Sequence, residues 1–503
     1  MTKTYLQQMK EITPDRLYYG LLAHGLFTER LPPIFTSVNF FDYCQSLNNS
    51  FQDKAATYIS FDSIRHVNIP RQLGIPNPMA YQQLCKCLSD NWDKLCDHFE
   101  HYTSYQTHKV SRIHIRKLAN KPSLFEMNYN NWKIDGSPEP DLLMGKRYLV
   151  TADIATFFPS IYTHSLTWAL IGKAAAKVDR DKRKWQNIID HYTQNTKHGE
   201  THGLIIGPHA SNLLSEIILT VIDYKLHEKG WHNYVRHVDD YTCYVDTYEN
   251  GQKFIIDLLE ELNIFDLKLN DRKTSINELP LAAGEQWIRQ INAIKTIADH
   301  ETMRFPDVRA YLDNVIEIMH HNNDKSSILK YAIKVLSGQT VTANAKEYCA
   351  KTLLNYTILF PYVVPLMDEY VFKTYNVDLS IINKFTDKIY QDGINSRNYE
   401  AVSFSLFFAI KYNICIASIS VDKLLKSNSC IVFLLSFLYC KHTKNNGACK
   451  KIIDHAMRLS LNDDDFGQNW LFVYEVLSKS SLRGDWKDMK NNIVTFLIPI
   501  DQW

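Results

Sequence analysis

The chain has 503 residues, 45% of them apolar, which is material for roughly two to four domains and more than one core. Its 17 glycines and 16 prolines are about 7% of the chain against an average near 12%, which excludes collagen-like and low-complexity classes and points to long helices. Fifty-six Lys and Arg against 55 Asp and Glu leave a net charge of +1, so any binding to phosphates must come from local patches rather than from a global basic field.

Met1–Glu11 lacks the apolar run of a signal peptide. The ten cysteines contain no C-x-x-C pair and read as reduced thiols. The most apolar runs, Val402–Ile410 and Ile431–Cys440, are well short of the ~18–20 residues of a membrane span. A soluble, cytoplasmic chain with no membrane partner is the expectation.

Taken in chain order, Ile69-Pro-Arg71-Gln-Leu-Gly74-Ile75-Pro76 is the first distinctive segment. Arg112, His114 and Arg116 then alternate with Ile113 and Ile115. That spacing predicts a strand with one cationic face, suited either to triphosphate oxygens or to solvent. An apolar strand, Tyr148-Leu-Val-Thr-Ala-Asp153, delivers a carboxylate and is followed by Phe157-Phe158. The basic stretch Lys173, Lys177, Arg180, Lys182, Arg183 and Lys184 suits a nucleic-acid backbone, a solvated helix face or a self-association surface. Gly203-Leu-Ile-Ile-Gly207-Pro-His-Ala-Ser211 leads into a helix with apolar residues at 213, 214, 217, 218, 221 and 222. Two β-prone runs in Tyr234–Val245 flank Asp239-Asp240, which predicts a hairpin with two carboxylates at its tip. A helix over Gly251–Asn263 carries Phe254, Ile255, Leu258, Leu259 and Leu262 on one face. A short strand, Leu267–Asn270, ends in Asp-Arg-Lys273-Thr274.

Near residue 285 the pattern changes. Stripes at Val308, Tyr311, Leu312, Val315 and Met319, and at Ile328, Leu329, Ala332, Ile333 and Leu336, predict amphipathic helices. Further helices are expected around 399–412, 430–441, 448–460 and 469–478. Asp463-Asp464-Asp465 reads as a solvated loop. Two units follow, 1–285 and 286–503, the second a helical bundle or α-solenoid.

The blocks around Asp153, Gly203–Ser211, Asp239-Asp240 and Lys273-Thr274 stand in the order of motifs A, B, C and D of a reverse-transcriptase palm, which they resemble. The 69–76 segment is similar to the R-P-L-G-I-P stretch of the fingers. The resemblance implies an α+β reverse-transcriptase-like fingers and palm, followed by an all-α, HEAT-like helical-repeat domain. It implies metal ligands at Asp153, Asp239 and Asp240, catalytic help from Lys273, and nucleotide contacts from Arg71, Arg112, Arg116, Phe158, Gly207, Ser211 and Lys273. The chemistry agrees: phosphoryl transfer uses two divalent ions ~3.5–4 Å apart, and Mg²⁺, or Mn²⁺ in its place, takes carboxylate oxygens. Phe158, five residues after Asp153, stands where an aromatic ring crowds a 2′-OH and so favours deoxynucleotides; the alternative is a core Phe.

Two departures narrow the resemblance. Ile206 stands where templated enzymes carry Gln in G-x-P-Q-G, and His237 replaces Tyr before the paired acids, while Tyr234 and Arg236 stay group II-like. After Thr274 no primer grip, compact thumb, RNase H acidic set or endonuclease motif follows. With Tyr162-Thr-His-Ser165-x-x-Trp168-x-x-x-Gly172-Lys173-x-Ala-x-Lys177 and Thr201-His202-Gly203, the chain is similar to the abortive-infection (Abi) polymerases of bacterial phage defence. That family implies template-independent synthesis from dNTPs and priming on a tyrosine hydroxyl. It also implies single-stranded DNA left covalently on the protein, and a homo-oligomer, a trimer before a hexamer. Which of the 29 tyrosines primes stays open; Tyr5, Tyr18 and Tyr19 rank slightly first, near an N-terminus expected to be mobile. A templated RNA-directed DNA polymerase and a silent scaffold are the other two classes.

Overall fold

The computed structural model describes residues 3–47, 50–66, 69–118, 121–125, 136–281, 286–297 and 302–503. It is a mixed α+β structure in which a small antiparallel sheet sits among many helices. Strands β1 (Ile59–His66) and β2 (Ile69–Ile75) form a separate antiparallel hairpin. The four-stranded sheet contains β3 (Tyr148–Asp153), β4 (Tyr234–His237), β5 (Asp240–Val245) and β6 (Ser275–Glu278), in the order β4-β5-β3-β6.

Period-two patterning places β3. Val150 and Ala152 are buried, whereas Leu149 and Thr151 are half-buried, as alternation across a half-covered sheet requires. The helix Tyr248–Ile264 packs on the sheet, with Phe254, Leu258 and Leu262 buried. Leu259 is 39% exposed, so the expected apolar face of this helix is narrower than its composition suggests. The helix His209–Glu228 has apolar residues around most of its circumference and is buried along most of its length. The expected strand at Leu267–Asn270 is reduced to one bridge, Ile154 to Leu269, and Asp271–Lys273 form a single 3₁₀ turn.

Helices dominate after Phe305. Tyr399–Lys411 and Cys430–His442 are buried on nearly every side and pack together, so the two apolar runs are inner helices of a core. No helix among the described residues is long and apolar enough to cross a membrane. Asp463–Asp465 do not form a loop: they open the helix Asp463–Gln468, where Asn462 caps the first turn and the acids face the positive helix end. The expected boundary at residue 285 falls among residues 282–285, outside the described residues.

The helical half touches the first half at several points. The Glu400 carboxylate accepts from Ser63 Oγ and Ile64 N of β1, each at 2.8 Å. Thr36 N donates to Phe496 O at 2.9 Å and Ile498 N to Ile34 O at 2.8 Å. Phe496 packs against Phe40 and Trp470, with ring centroids 5.5 and 5.0 Å apart.

Candidate active site

Asp153 is the last residue of β3 and pairs in register with Asp240, the first residue of β5. His237 pairs with Asp240 across the hairpin, so Val238 and Asp239 form a two-residue turn. Three carboxylates thereby gather at one end of the sheet. Val238 has φ of 58°, a conformation that costs a β-branched residue about 1–3 kcal/mol.

Two backbone contacts hold that turn: Arg236 Nη1 donates to Val238 O at 2.9 Å and Ile154 N to Asp239 O at 3.1 Å. Arg236 is fully buried. Its guanidinium donates to Asp223 at 2.8–3.2 Å and to Glu216 at 2.9 Å. Those acids are seven residues apart on the helix His209–Glu228, two turns on one face. Tyr5 Oη donates to Glu216 at 3.2 Å, and Tyr234 Oη to Asp223 O at 2.8 Å. Burial would lower the Arg236 pKa, but the two carboxylates outweigh it and raise it. Burial pushes the Asp223 carboxyl upward against the pull of Arg236.

The site carboxylates divide electrostatically. Burial raises Asp153, but hydrogen bonds from Lys273 Nζ at 2.7 Å and Asn270 Nδ2 at 2.9 Å, with one from Asp240, bring it below the usual value. Burial, followed by the Asp153 charge, raises Asp239. Asp240 is pushed to about 7, by burial of its carboxyl first and then by Asp153 and Asp239. Crowded acids that resist ionising together fit a hard divalent cation, which takes such oxygens and removes their repulsion. Among the described residues no group of three or more His, Cys, Asp or Glu is drawn together as a finished metal cage, and Asp153 is turned to Lys273.

The 203–207 loop is set by its contact with β2. Gly74 N donates to Ile206 O at 2.9 Å, and a Cβ on Gly74 would meet Ile205 Cγ2 at 2.6 Å. Gly207 has φ of 131°, and a Cβ there would come 3.1 Å from Gly74 O. Only glycine fits both positions. Ser211 is buried and its hydroxyl donates to Ile205 O at 2.6 Å, which makes it a strut of this loop. Phe158 is half-buried, its ring 5.3 Å from Phe157, and its carbonyl accepts from Leu204 N at 2.8 Å. Arg71 lies on β2; partial burial of its guanidinium first, then the neighbouring Arg65 and Arg30, lower it to about 10 against the pull of Asp239.

Arg112 and Arg116 depart from expectation. Residues 111–116 are not a strand with a cationic face; all six are buried. Arg112 N and Arg236 N bond across the edge of β4, to Arg236 O and Val110 O. The Arg112 side chain donates to Gly136 O, Arg116 to Arg112 O, and His114 bonds to Gln8 at 2.6 Å. These cations sit inside the protein rather than on an exposed cationic face. The N-terminal tyrosines likewise lie on packed helices, Tyr5–Lys10 and Pro14–Leu22. Tyr5 and Tyr18 are buried and Tyr19 half-buried.

The basic stretch is partly self-paired, Arg183 with Asp181 and Lys184 with Asp179. Lys177, Arg180 and Lys182 line a cleft of about 580 Å³ with Tyr162 and Trp168. Sequence reasoning missed Arg30 and Arg65, which neighbour Arg71, and Lys330, which neighbours Arg30 and Arg65. Arg65, on the strand ahead of the 69–76 segment, carried a faint signal; Lys330, on a helix 177 residues beyond Asp153, carried none.

No protein-family model and no curated protein matches the chain. Among solved structures it is similar to telomerase from Candida albicans, bound to a TWJ fragment of telomeric RNA, with TM-score 0.28 and 12% identity. The match covers 67% of this chain and 62% of that one.

Proposed function

We propose that this chain is a nucleotidyltransferase that polymerises deoxynucleotides at Asp153, Asp239 and Asp240, within a reverse-transcriptase-like fingers and palm. One observation carries the reading: the register that sets Asp153 opposite Asp240, with Asp239 in the turn beside them. The three acids would hold Mg²⁺, or Mn²⁺ in its place, which when bound stabilises charge on the attacking and departing phosphate oxygens. Lys273 neutralises Asp153 and carries a proton at Nζ that a departing phosphate oxygen can accept. Phe158 narrows the space beside a sugar, and the Gly74–Gly207 contact sets the floor on which the nucleotide lies.

The finer reading is an abortive-infection polymerase of phage defence, working as a homo-oligomer with a HEAT-like helical half. It builds DNA without a template, on a tyrosine of its own. Ile206 supports this, because an apolar side chain offers no hydrogen bond with which to sense a template or nucleotide.

The test is incubation of the purified protein with Mg²⁺ and each dNTP alone, run on a denaturing gel before and after protease. DNA that enters the gel only after protease is the expected outcome. Asp239→Asn should reduce incorporation by on the order of a thousandfold or more. A product complementary to an added template and free of protein would place the chain with templated enzymes. Undiminished synthesis by the variant would remove the polymerase reading.

A further inference from the structure

Four cations gather from three separate parts of the chain, and two of them, Arg65 and Arg71, lie within reach of the Asp239 charge. Arg65 and Arg71 belong to the β1–β2 hairpin, where Ile64 pairs with Pro70 and His66 with Ile69. Arg65 is therefore the extra residue of a bulge, a device that re-aims a side chain. Arg30 lies on the loop after the helix Pro14–Leu22. Lys330 lies on the helix Ser326–Ser337 of the helical half, its ammonium 5.1 Å from the Tyr362 ring centroid. Lys334 follows one turn later.

Among the described residues none of these four has an ion pair within 4.0 Å. Glu400, whose charge reaches Arg30 and Lys330, is also engaged by Ser63 and Ile64 of β1. That contact pins the helical half against the bulged strand. Burial, then the charges of Arg30 and Arg65, depress Lys330 to about 8. Cations packed this closely repel one another, and a polyanion laid across them removes the repulsion.

We propose that Arg30, Arg65, Arg71 and Lys330 form one binding site for the phosphodiester backbone of a nucleic-acid strand, so that the helical half grips the strand beside the carboxylates. The proposal rests on the polymerase reading. A lone nucleoside triphosphate reaching Asp239 would meet Arg71 and Arg65 without needing a cation from the helical half. A strand leaving the carboxylates crosses from Asp239 past Arg71 and Arg65 to Lys330 and Lys334. Single strands are held in this way, by a charged groove that tracks their phosphates.

The experiment is fluorescence anisotropy of a labelled oligodeoxythymidylate of about 20 nucleotides, titrated with the full chain in EDTA at several salt concentrations. Binding is thus read without catalysis. Lys330→Met keeps the stem over Tyr362 and removes the charge, and Arg30→Met tests the opposite wall. Each should weaken binding about tenfold and lower the log–log salt slope by about 0.7, the loss of one phosphate contact. Lys451→Met, at an exposed residue paired with Asp422, should change neither. Affinity for dATP should be unaffected by Lys330→Met. Unchanged oligonucleotide affinity and slope in Lys330→Met, with native circular dichroism, would overturn the proposal, as would a loss confined to dATP. Incorporation is measured separately: a wild type that binds the strand but never incorporates removes the polymerase reading and leaves this site standing.

Discussion

Phe158 and Arg236 show how differently two residues of one site can act. Phe158 is half-buried and packs on the core and on Phe157, and under the proposed function its exposed part crowds a sugar. Phe158→Val should raise use of ribonucleotides relative to deoxynucleotides at least about tenfold, because the lost contact is a steric exclusion. Competition between a dNTP and its rNTP measures it; an unchanged ratio makes Phe158 a packing residue. Arg236 acts from beneath, through the carbonyl of the turn that presents Asp239. Arg236→Met leaves Glu216 and Asp223 buried without their cation and should cost about 3–5 kcal/mol of stability. Urea denaturation reads the loss. Adding Glu216→Gln and Asp223→Asn should restore part of it, which a purely steric effect of methionine would not allow.

At the scale of elements, the β1–β2 hairpin and the 203–207 loop meet backbone to backbone. Gly74→Ala drives a methyl group into Ile205 and Tyr58, at 2.6 and 2.9 Å. It should cost about 1–3 kcal/mol and lower incorporation more than oligonucleotide binding, since it displaces the loop rather than the cations. Equal losses in both assays would contradict this. The elements nearest the acids were also the most legible in the sequence. Strand β3, the hairpin holding Asp239-Asp240 and the helix after Gly207 each carry a local period that tertiary packing reinforces. Residues 111–116 misled because alternating Ile and cationic residues look like a half-buried strand. Their burial depends on partners distant in sequence, Gln8 and Gly136, which no local pattern encodes. The same is true of Lys330, whose position follows from how one helix packs.

At the scale of the whole molecule, most of the interior of the described residues is one cluster of buried side chains running from Tyr5 to Phe496, with a small separate cluster of Leu142, Val235 and Tyr244. His98 lies in that interior, 8% exposed, with Nε2 3.2 Å from Ile217 O. Burial first, then His101, lower it to about 4 from 6.5, against the pull of the Ile217 carbonyl. The folded state thus binds fewer protons than the unfolded state between those values, and stability falls as pH drops through that window. The neutral ring contributes roughly 3 kcal/mol of stability that is whole above pH 6.5 and lost by pH 4. Urea midpoints from pH 8 to 4 should decline over that range, and His98→Gln should flatten the decline. An identical profile in the variant would assign the acid sensitivity elsewhere.

The contact of residues 34–40 with residues 496–498 has a consequence in time. Phe40 and Ile34 are made before Phe496, which follows Phe40 some 456 residues later. At ~5–20 residues per second that interval is roughly 20–90 s. Throughout it the surface around Phe40 waits uncovered. The first half can collapse during translation, but its cover against Phe496 and Trp470 forms only once those later residues have been made.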